Sequence, residues 1–157
     1  MSLTPEEFKK ALAQYPSGVT VITTRSPSGE LTGLTVSAFC SLSLNPPLVL
    51  FCLAQHSYNY LLFQEAEGFA VHFLERSQEA LSNLFAKAGE DKFDQVSWRS
   101  GLRDIPLLED VVQVLECRIT ARYPGGDHTI VVGEVEAAHA HKGHPLVYAQ
   151  GKYRGLH

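Results

Sequence analysis

Gly125-Gly126-Asp127-His128-Thr129 puts an acid, an imidazole and a hydroxyl side by side behind two glycines. An imidazole titrates near neutral pH, so it can donate, accept or carry a proton. The glycines supply the freedom that a tight turn needs. The residues that follow, Ile130-Val131-Val132-Gly133-Glu134-Val135, read as a strand. His128 therefore stands where a loop meets a strand, able to face a pocket with little freedom of its own. The plainer alternative is a turn histidine bonded locally to Asp127.

Hydroxyls and amides elsewhere can complete a site. Thr35 and Ser37 are two apart on an expected strand and so face the same way. Ser41 and Ser43 repeat that spacing. Each of the four is also acceptable as an ordinary strand or loop residue. Ala54-Gln55-His56-Ser57 leaves a buried strand and enters a short helix, where backbone N–H groups can hold an anion. A simple Ser57 cap explains the same residues. Ser77, at the expected start of another helix, can touch a phosphate or only cap. Phe93 and Tyr153 are aromatics able to close a groove or to pack on the fold. His139, His141 and His144 form a trio, but no carboxylate or cysteine stands beside them in sequence, so no metal site is assigned. There is no GxGxxG and no P-loop.

These groups need a scaffold. Thr4-Pro5-Glu6-Glu7 carries the signals of a helix start, with Thr4 as cap, Pro5 at the first turn and Glu7 closing a capping box. The helix is expected over 4–14, with an apolar stripe of Phe8, Leu12, Ala11 and Tyr15. Val19–Thr24 reads as a strand, 26–29 as a turn, and Leu31–Phe39 as a continuing strand. Pro46-Pro47 precedes a short buried strand, Leu48–Leu53. Ser57 caps a short helix through Leu61 and Leu62, Phe69–Leu74 is a strand, and Ser77 caps a helix striped by Leu81, Leu84 and Phe85. Residues 90–110 look irregular and long for a free loop, so they should pack on the barrel or reach a partner. Val111–Thr120 and Thr129–Ala138 pair across a turn at Tyr123–Gly126. Short strands at Leu146–Tyr148 and Lys152–Leu156 finish the chain. Hairpin joins dominate and no βαβ repetition occurs. The fold class is mainly β with short helices, an antiparallel barrel.

A chain of 157 residues fits one domain, taken as 1–157. A net charge of −4 with no Lys/Arg cluster argues against a nucleic-acid surface. No apolar run approaches 18 residues, so no membrane span is expected. Glu6, Glu7, Lys9 and Lys10 occupy the place of a signal-peptide core. Cys40, Cys52 and Cys117 are odd in number and far apart, which suits inert buried thiols in the cytoplasm.

The order of the pieces resembles the flavin reductase family, the short reductase components of two-component flavin monooxygenases. The matching motifs are Tyr15-Pro16-Ser17-Gly18-Val19-Thr20-Val21, Gly33-Leu34-Thr35-Val36-Ser37-Ala38-Phe39 with Ser41-Leu42-Ser43-Leu44, and Pro46-Pro47-Leu48-Val49. Later come Phe69-Ala70-Val71, Gly125-Gly126-Asp127-His128-Thr129-Ile130 with Val132-Gly133-Glu134-Val135, then Pro145-Leu146-Val147-Tyr148 with Gly151-Lys152-Tyr153. They span about 10–155. The resemblance implies a split β-barrel, a homodimer, FMN or FAD as flavin, and NADH or NADPH as hydride donor. It implies His128 as the catalytic residue. It implies flavin contacts from Thr35, the Val36 backbone, Ser37, Ser41, Ala54, Gln55, Ser57, Ser77, Phe93 and Tyr153. Reduced flavin would pass to a separate monooxygenase. Family members often carry Asn after Phe-Ala-Val, where this chain has His72. The exchange alters either a hydrogen bond near the flavin or a packing detail. Two alternatives remain open from sequence: a flavin-binding split barrel without reductase activity, and a non-enzymatic dimeric partner protein.

Overall fold

The computed structural model describes residues 2–89 and 91–156. In chain order its elements are α1 (Pro5–Leu12), β1 (Ser17–Gly18), β2 (Thr20–Arg25), β3 (Leu31–Val36), β4 (Phe39–Ser43), β5 (Leu48–Ala54), α2 (Tyr60–Glu65) and β6 (Gly68–Phe73). Then follow α3 (Glu79–Ala86), β7 (Trp98–Ser100), β8 (Pro106–Leu108), β9 (Gln113–Gly125), β10 (His128–Ala140), β11 (Val147–Ala149) and β12 (Lys152–Arg154).

The principal sheet has seven strands in the order β3-β2-β6-β9-β10-β5-β4, and all its pairings are antiparallel. Its two outermost strands, β3 and β4, are consecutive in sequence. Only Ser37 and Ala38 separate them. Three residue steps span at most about 11 Å of extended chain. A flat sheet would set its first and seventh strands about 28 Å apart. The sheet must therefore curl until its edges meet, giving an antiparallel barrel split between β3 and β4. The expected unbroken strand Leu31–Phe39 is corrected by this closure: the chain bends at Ser37, where the Phe39 N–H donates to the Ser37 carbonyl.

Period-two alternation sorts the side chains into two layers. Ile22, Val36, Phe51, Leu53, Phe69, Val71, Cys117 and Val131 fill the barrel interior with Phe63 of α2. Phe51 meets Phe63 and Phe69 edge to face at 5.6 and 5.0 Å. The opposite faces of β2, β6 and β9 supply Val21, Ala70 and Val114 to a second cluster, covered by Phe85 of α3 and by Ile105, Leu107, Leu108 and Val111. So 91–110, the described part of that stretch, is not structureless. It contributes the hairpin β7–β8 and core residues, in keeping with packing on the barrel.

His72 is fully buried in β6. Its Nδ1 lies 2.8 Å from the Val21 carbonyl, and its Nε2 accepts from the Leu108 N–H at 3.0 Å. The ring thus ties β6 to β2 and β8 as a neutral donor and acceptor. Of the two roles left open for it, this is the packing one. Burial pulls its pKa down from 6.5 to about 4.

Other local expectations change. The capping box of α1 forms, with Glu7 N–H to Thr4 Oγ1 at 3.1 Å and Thr4 N–H to Glu7 Oε2 at 3.0 Å. Its stripe buries no residue; instead Leu12 lines an open groove with Cys40, Leu50 and Tyr148. Ser57 and Ser77 are not side-chain caps: the cap positions are Asn59 and Gln78, and neither makes a capping bond. Cys40 is exposed and Cys52 half-buried, since β4 is an edge strand with an open outer face; Cys117 alone among the three is buried. No described helix is long and apolar enough to cross a membrane.

Candidate functional site

Gly126 and Asp127 form a two-residue turn between β9 and β10. Gly126 adopts φ +66°, a conformation that costs a residue with a Cβ but not glycine. The turn is tighter than expected and makes His128 the first residue of β10, opposite Gly125 on one side and Ala54 on the other. The Gln55 N–H donates to the Asp127 carbonyl at 3.0 Å, and Gln55 Nε2 reaches the His128 carbonyl at 3.4 Å. Ala54, Gln55 and His128 are therefore one unit, made by β5–β10 pairing between residues more than 70 positions apart.

The His128 side chain is 41% exposed, and its Nδ1 lies 2.7 Å from Asp127 Oδ1. That bond holds the Asp127 carboxyl below its ordinary range. The local Asp127 contact and a role in a site are thus compatible: a charged Asp127 orients the ring through Nδ1 and leaves Nε2 outward. Thr129 turns inward, buried, and its hydroxyl meets Tyr60 Oη at 2.9 Å. It supports the strand.

Alternation on β5 buries Val49, Phe51 and Leu53 and leaves Leu50, Cys52 and Ala54 on the outer face. His128 and Ile130 share that face, opposite Ala54 and Cys52. The face continues into a groove of about 600 Å³ whose lining includes Ser37, Ala38, Cys40, Leu50, Cys52 and Tyr148. Ser37 enters it because the barrel closes there, with the Cys52 N–H donating to the Ala38 carbonyl at 3.0 Å. The Cys52 thiol is pushed up, first by burial and then by neighbouring Cys40.

Across the split, a second set surrounds β3. Thr35 Oγ1 donates to the Ser82 carbonyl of α3 at 2.6 Å, and the Ser82 hydroxyl meets Tyr153 Oη at 2.7 Å. Tyr153 also donates to Asn83 Oδ1 at 3.0 Å. This close docking of α3 needs Gly33, where a Cβ would lie 2.9 Å from Phe85. Ser57 donates to Asn59 Oδ1 at 2.5 Å, and Asn59 Nδ2 reaches the Gly33 carbonyl at 3.3 Å. The loop after β5 is thereby pinned to β3. Phe93 stacks edge-on with Phe85 at 5.4 Å and Trp98 at 6.0 Å.

Three candidates stand differently. The Val36 side chain is in the barrel core and its carbonyl accepts from Thr20 Oγ1, so it offers the outer surface no side chain. Ser41 is exposed opposite Val49, and a register shift between Ser41 and Ser43 breaks their expected two-residue alternation. Ser77 is spent on Glu75: its hydroxyl and N–H hold the Glu75 carboxyl down at about 2. In the histidine trio, His139 does have a carboxylate, because β9 brings the buried Glu116 to 2.6 Å of its Nε2. No group of three or more metal-binding side chains occurs among the described residues.

Sequence inspection misses Tyr58, Asn59, Ser82 and Lys92. Lys92 is buried, donating to Tyr58 Oη at 2.6 Å and to the Lys87 carbonyl. Only its place beside Phe93 was a signal. Ser82 carried none, since its role depends on where α3 docks.

The outer face can hold a flat ring: it offers a half-exposed imidazole, a hydroxyl, edge backbone and an apolar floor, and no hydrolytic triad. Relatives agree with that chemistry. The sequence matches the flavin reductase like domain over residues 12–157. It is 40% identical over 146 residues, 93% of this chain and 83% of the other, to the FMN reductase (NADH) SmoA of Agrobacterium fabrum. It is 42% identical over 152 residues, 96% of each chain, to the reductase component of 4-hydroxyphenylacetate 3-monooxygenase from Thermus thermophilus. The fold superposes with a TM-score of 0.92 on the NADH:FAD oxidoreductase SgcE6 of Streptomyces globisporus, solved with NAD and FAD fragments; identity is 34%, covering 100% of this chain and 97% of that one. The chain belongs to the flavin reductase-like family, with its split-barrel fold.

Proposed function

We propose that the protein is an NAD(P)H:flavin oxidoreductase that reduces FMN or FAD for a separate monooxygenase. The observation that carries this is the outer strip running from His128 over Ala54 and Cys52 to Ser37. It crosses two inter-strand spacings of about 5 Å, from β10 to β5 and on to the β3–β4 closure, and advances two residues along β5, about 7 Å, so its diagonal is about 12 Å, the scale of a three-ring system. A flavin held there supplies a hydride acceptor, N5, for the nicotinamide C4 hydride.

The protein's work is to position two flat rings and exclude misalignment. Asp127 fixes the His128 ring, so Nε2 meets a nicotinamide or flavin polar group from one direction. Ser37 offers a hydroxyl at the other end of the strip. Ala54, Gln55 and Ser57 contribute the loop where the ribityl chain and phosphate would lie. Thr35 and Tyr153 act through Ser82 of α3, which makes them supports for this wall, and Phe93 packs behind it. The exposed apolar side chains Phe8, Leu12, Leu42 and Leu44 support a homodimer with the groove beside the seam. Free thiols suit a reducing compartment such as the cytoplasm.

The test is anaerobic titration of NADH and NADPH against FMN and FAD, following bleaching of the oxidised flavin. Nicotinamide-dependent bleaching is expected. Its absence with all four pairs overturns the proposal. His128→Ala should lower kcat/KM by about 10²-fold. Undiminished turnover removes His128 from the site.

A further inference from the structure

Tyr58 lies in the loop after β5, next to Ser57, and the residue is 48% exposed. Its hydroxyl is nonetheless held twice. It donates toward the Gly33 carbonyl at 3.3 Å and accepts from Lys92 Nζ at 2.6 Å. The ammonium is 5.0 Å from the ring centroid, so it sits beyond the hydroxyl end and does not cover a face. Leu61, at the start of α2, is 72% exposed at the same junction. An aromatic ring anchored at its polar end and bare on its surface loses little freedom when another flat ring stacks on it.

The charge behind the ring favours an anion nearby. Lys92 is 6% exposed and belongs to none of the ion pairs among the described residues. Among the described residues its ammonium meets the Tyr58 hydroxyl, the Lys87 carbonyl and the Phe85 ring at 5.7 Å, all neutral, so it keeps a positive field that a neighbouring phosphate can satisfy. The loop that carries Tyr58 also carries Ser57, where the flavin phosphate would lie.

We infer that Tyr58, positioned by Lys92 and the Gly33 carbonyl, is the stacking platform for the adenine ring of FAD and selects FAD over FMN. This rests on the flavin reductase reading. FMN ends at the phosphate and cannot reach the platform. FAD continues through a second phosphate to a purine.

The experiment measures Kd for FAD and for FMN by flavin fluorescence quenching, in the wild type, Tyr58→Ala, Tyr58→Phe and Lys92→Met. Base-on-aromatic stacking is lost in Tyr58→Ala, so its Kd for FAD should rise about tenfold. Its Kd for FMN should stay within about twofold of wild type on the same reasoning. Tyr58→Phe keeps the ring and frees its end, so the FAD effect should be smaller and in the same direction. Lys92→Met should weaken both flavins, because they share the phosphate that its charge favours, and FAD more than FMN, because it also frees the Tyr58 ring. If Lys92→Met does not fold, the two Tyr58 variants decide alone. Equal loss of both flavins in Tyr58→Ala, or no loss of either, overturns the inference. A wild type that binds neither flavin overturns the reductase proposal instead.

Discussion

Between pH 8 and 5, acid should weaken this protein through His72. Its ring is fully buried, with Nδ1 on the Val21 carbonyl and Nε2 taking the Leu108 N–H. A second ring proton would turn Nε2 from acceptor to donor and face it against that N–H. Burial away from water disfavours the charged ring and holds the folded pKa at about 4, against 6.5 for the free side chain. Between these values the unfolded chain binds the proton and the folded chain does not. The contribution is complete above pH 6.5 and declines as pH falls toward 4. The full loss is about 3 kcal/mol, of which about 2 kcal/mol has gone by pH 5. The assay is urea denaturation at pH 8, 7, 6 and 5 for the wild type and for His72→Asn, with His72→Gln in reserve. An amide can donate and accept without titrating. Subtracting the variant curve removes the carboxylates common to both. The wild type should lose about 2 kcal/mol more than the variant between pH 8 and 5. Parallel curves refute the reasoning.

The packing carries two further predictions. Gly33→Ala places a Cβ 2.9 Å from Phe85 and 3.3 Å from the Ile22 carbonyl, so α3 must move; stability should fall by about 1–3 kcal/mol in thermal or urea melts, and unchanged stability would mean that α3 docks less closely. Phe51→Ala empties the centre of the barrel between Phe63 and Phe69 and should cost about 3–5 kcal/mol by the same melts; a loss under about 1 kcal/mol would show that the core collapses around the gap.

Much of the scaffold was legible along the chain. The capping box at Thr4 and Glu7, the strands Thr20–Arg25, Leu48–Ala54 and Gly68–Phe73, and the β9–β10 hairpin follow from signals a few residues long. Ser57 and Ser77 misled because a serine before an apolar stripe is only permitted to cap; in the fold, Asn59 and Glu75 claim their hydroxyls. Cys40 and Cys52 misled because apolar-looking strands β4 and β5 have one outer face. The carboxylate for His139 came from Glu116, 23 residues away in sequence and adjacent only across a sheet. Of the candidate site, Ala54, Gln55 and His128 do meet, and Ser37 lies in the adjoining groove. Thr35 and Tyr153 prove to be linked through Ser82.

By itself, the sequence determined the alternation that divides inner from outer faces, the turn that starts β10 at His128, and the motifs that carry the family. Those depend on steric preferences and hydrogen bonds within a few residues. Only the tertiary structure decided which outer faces adjoin. Two residues joining the first and last strands of a seven-stranded sheet force it to close. That closure, together with the docking of α3 and the pinned loop at Tyr58, brings the candidate site together from residues the chain keeps far apart.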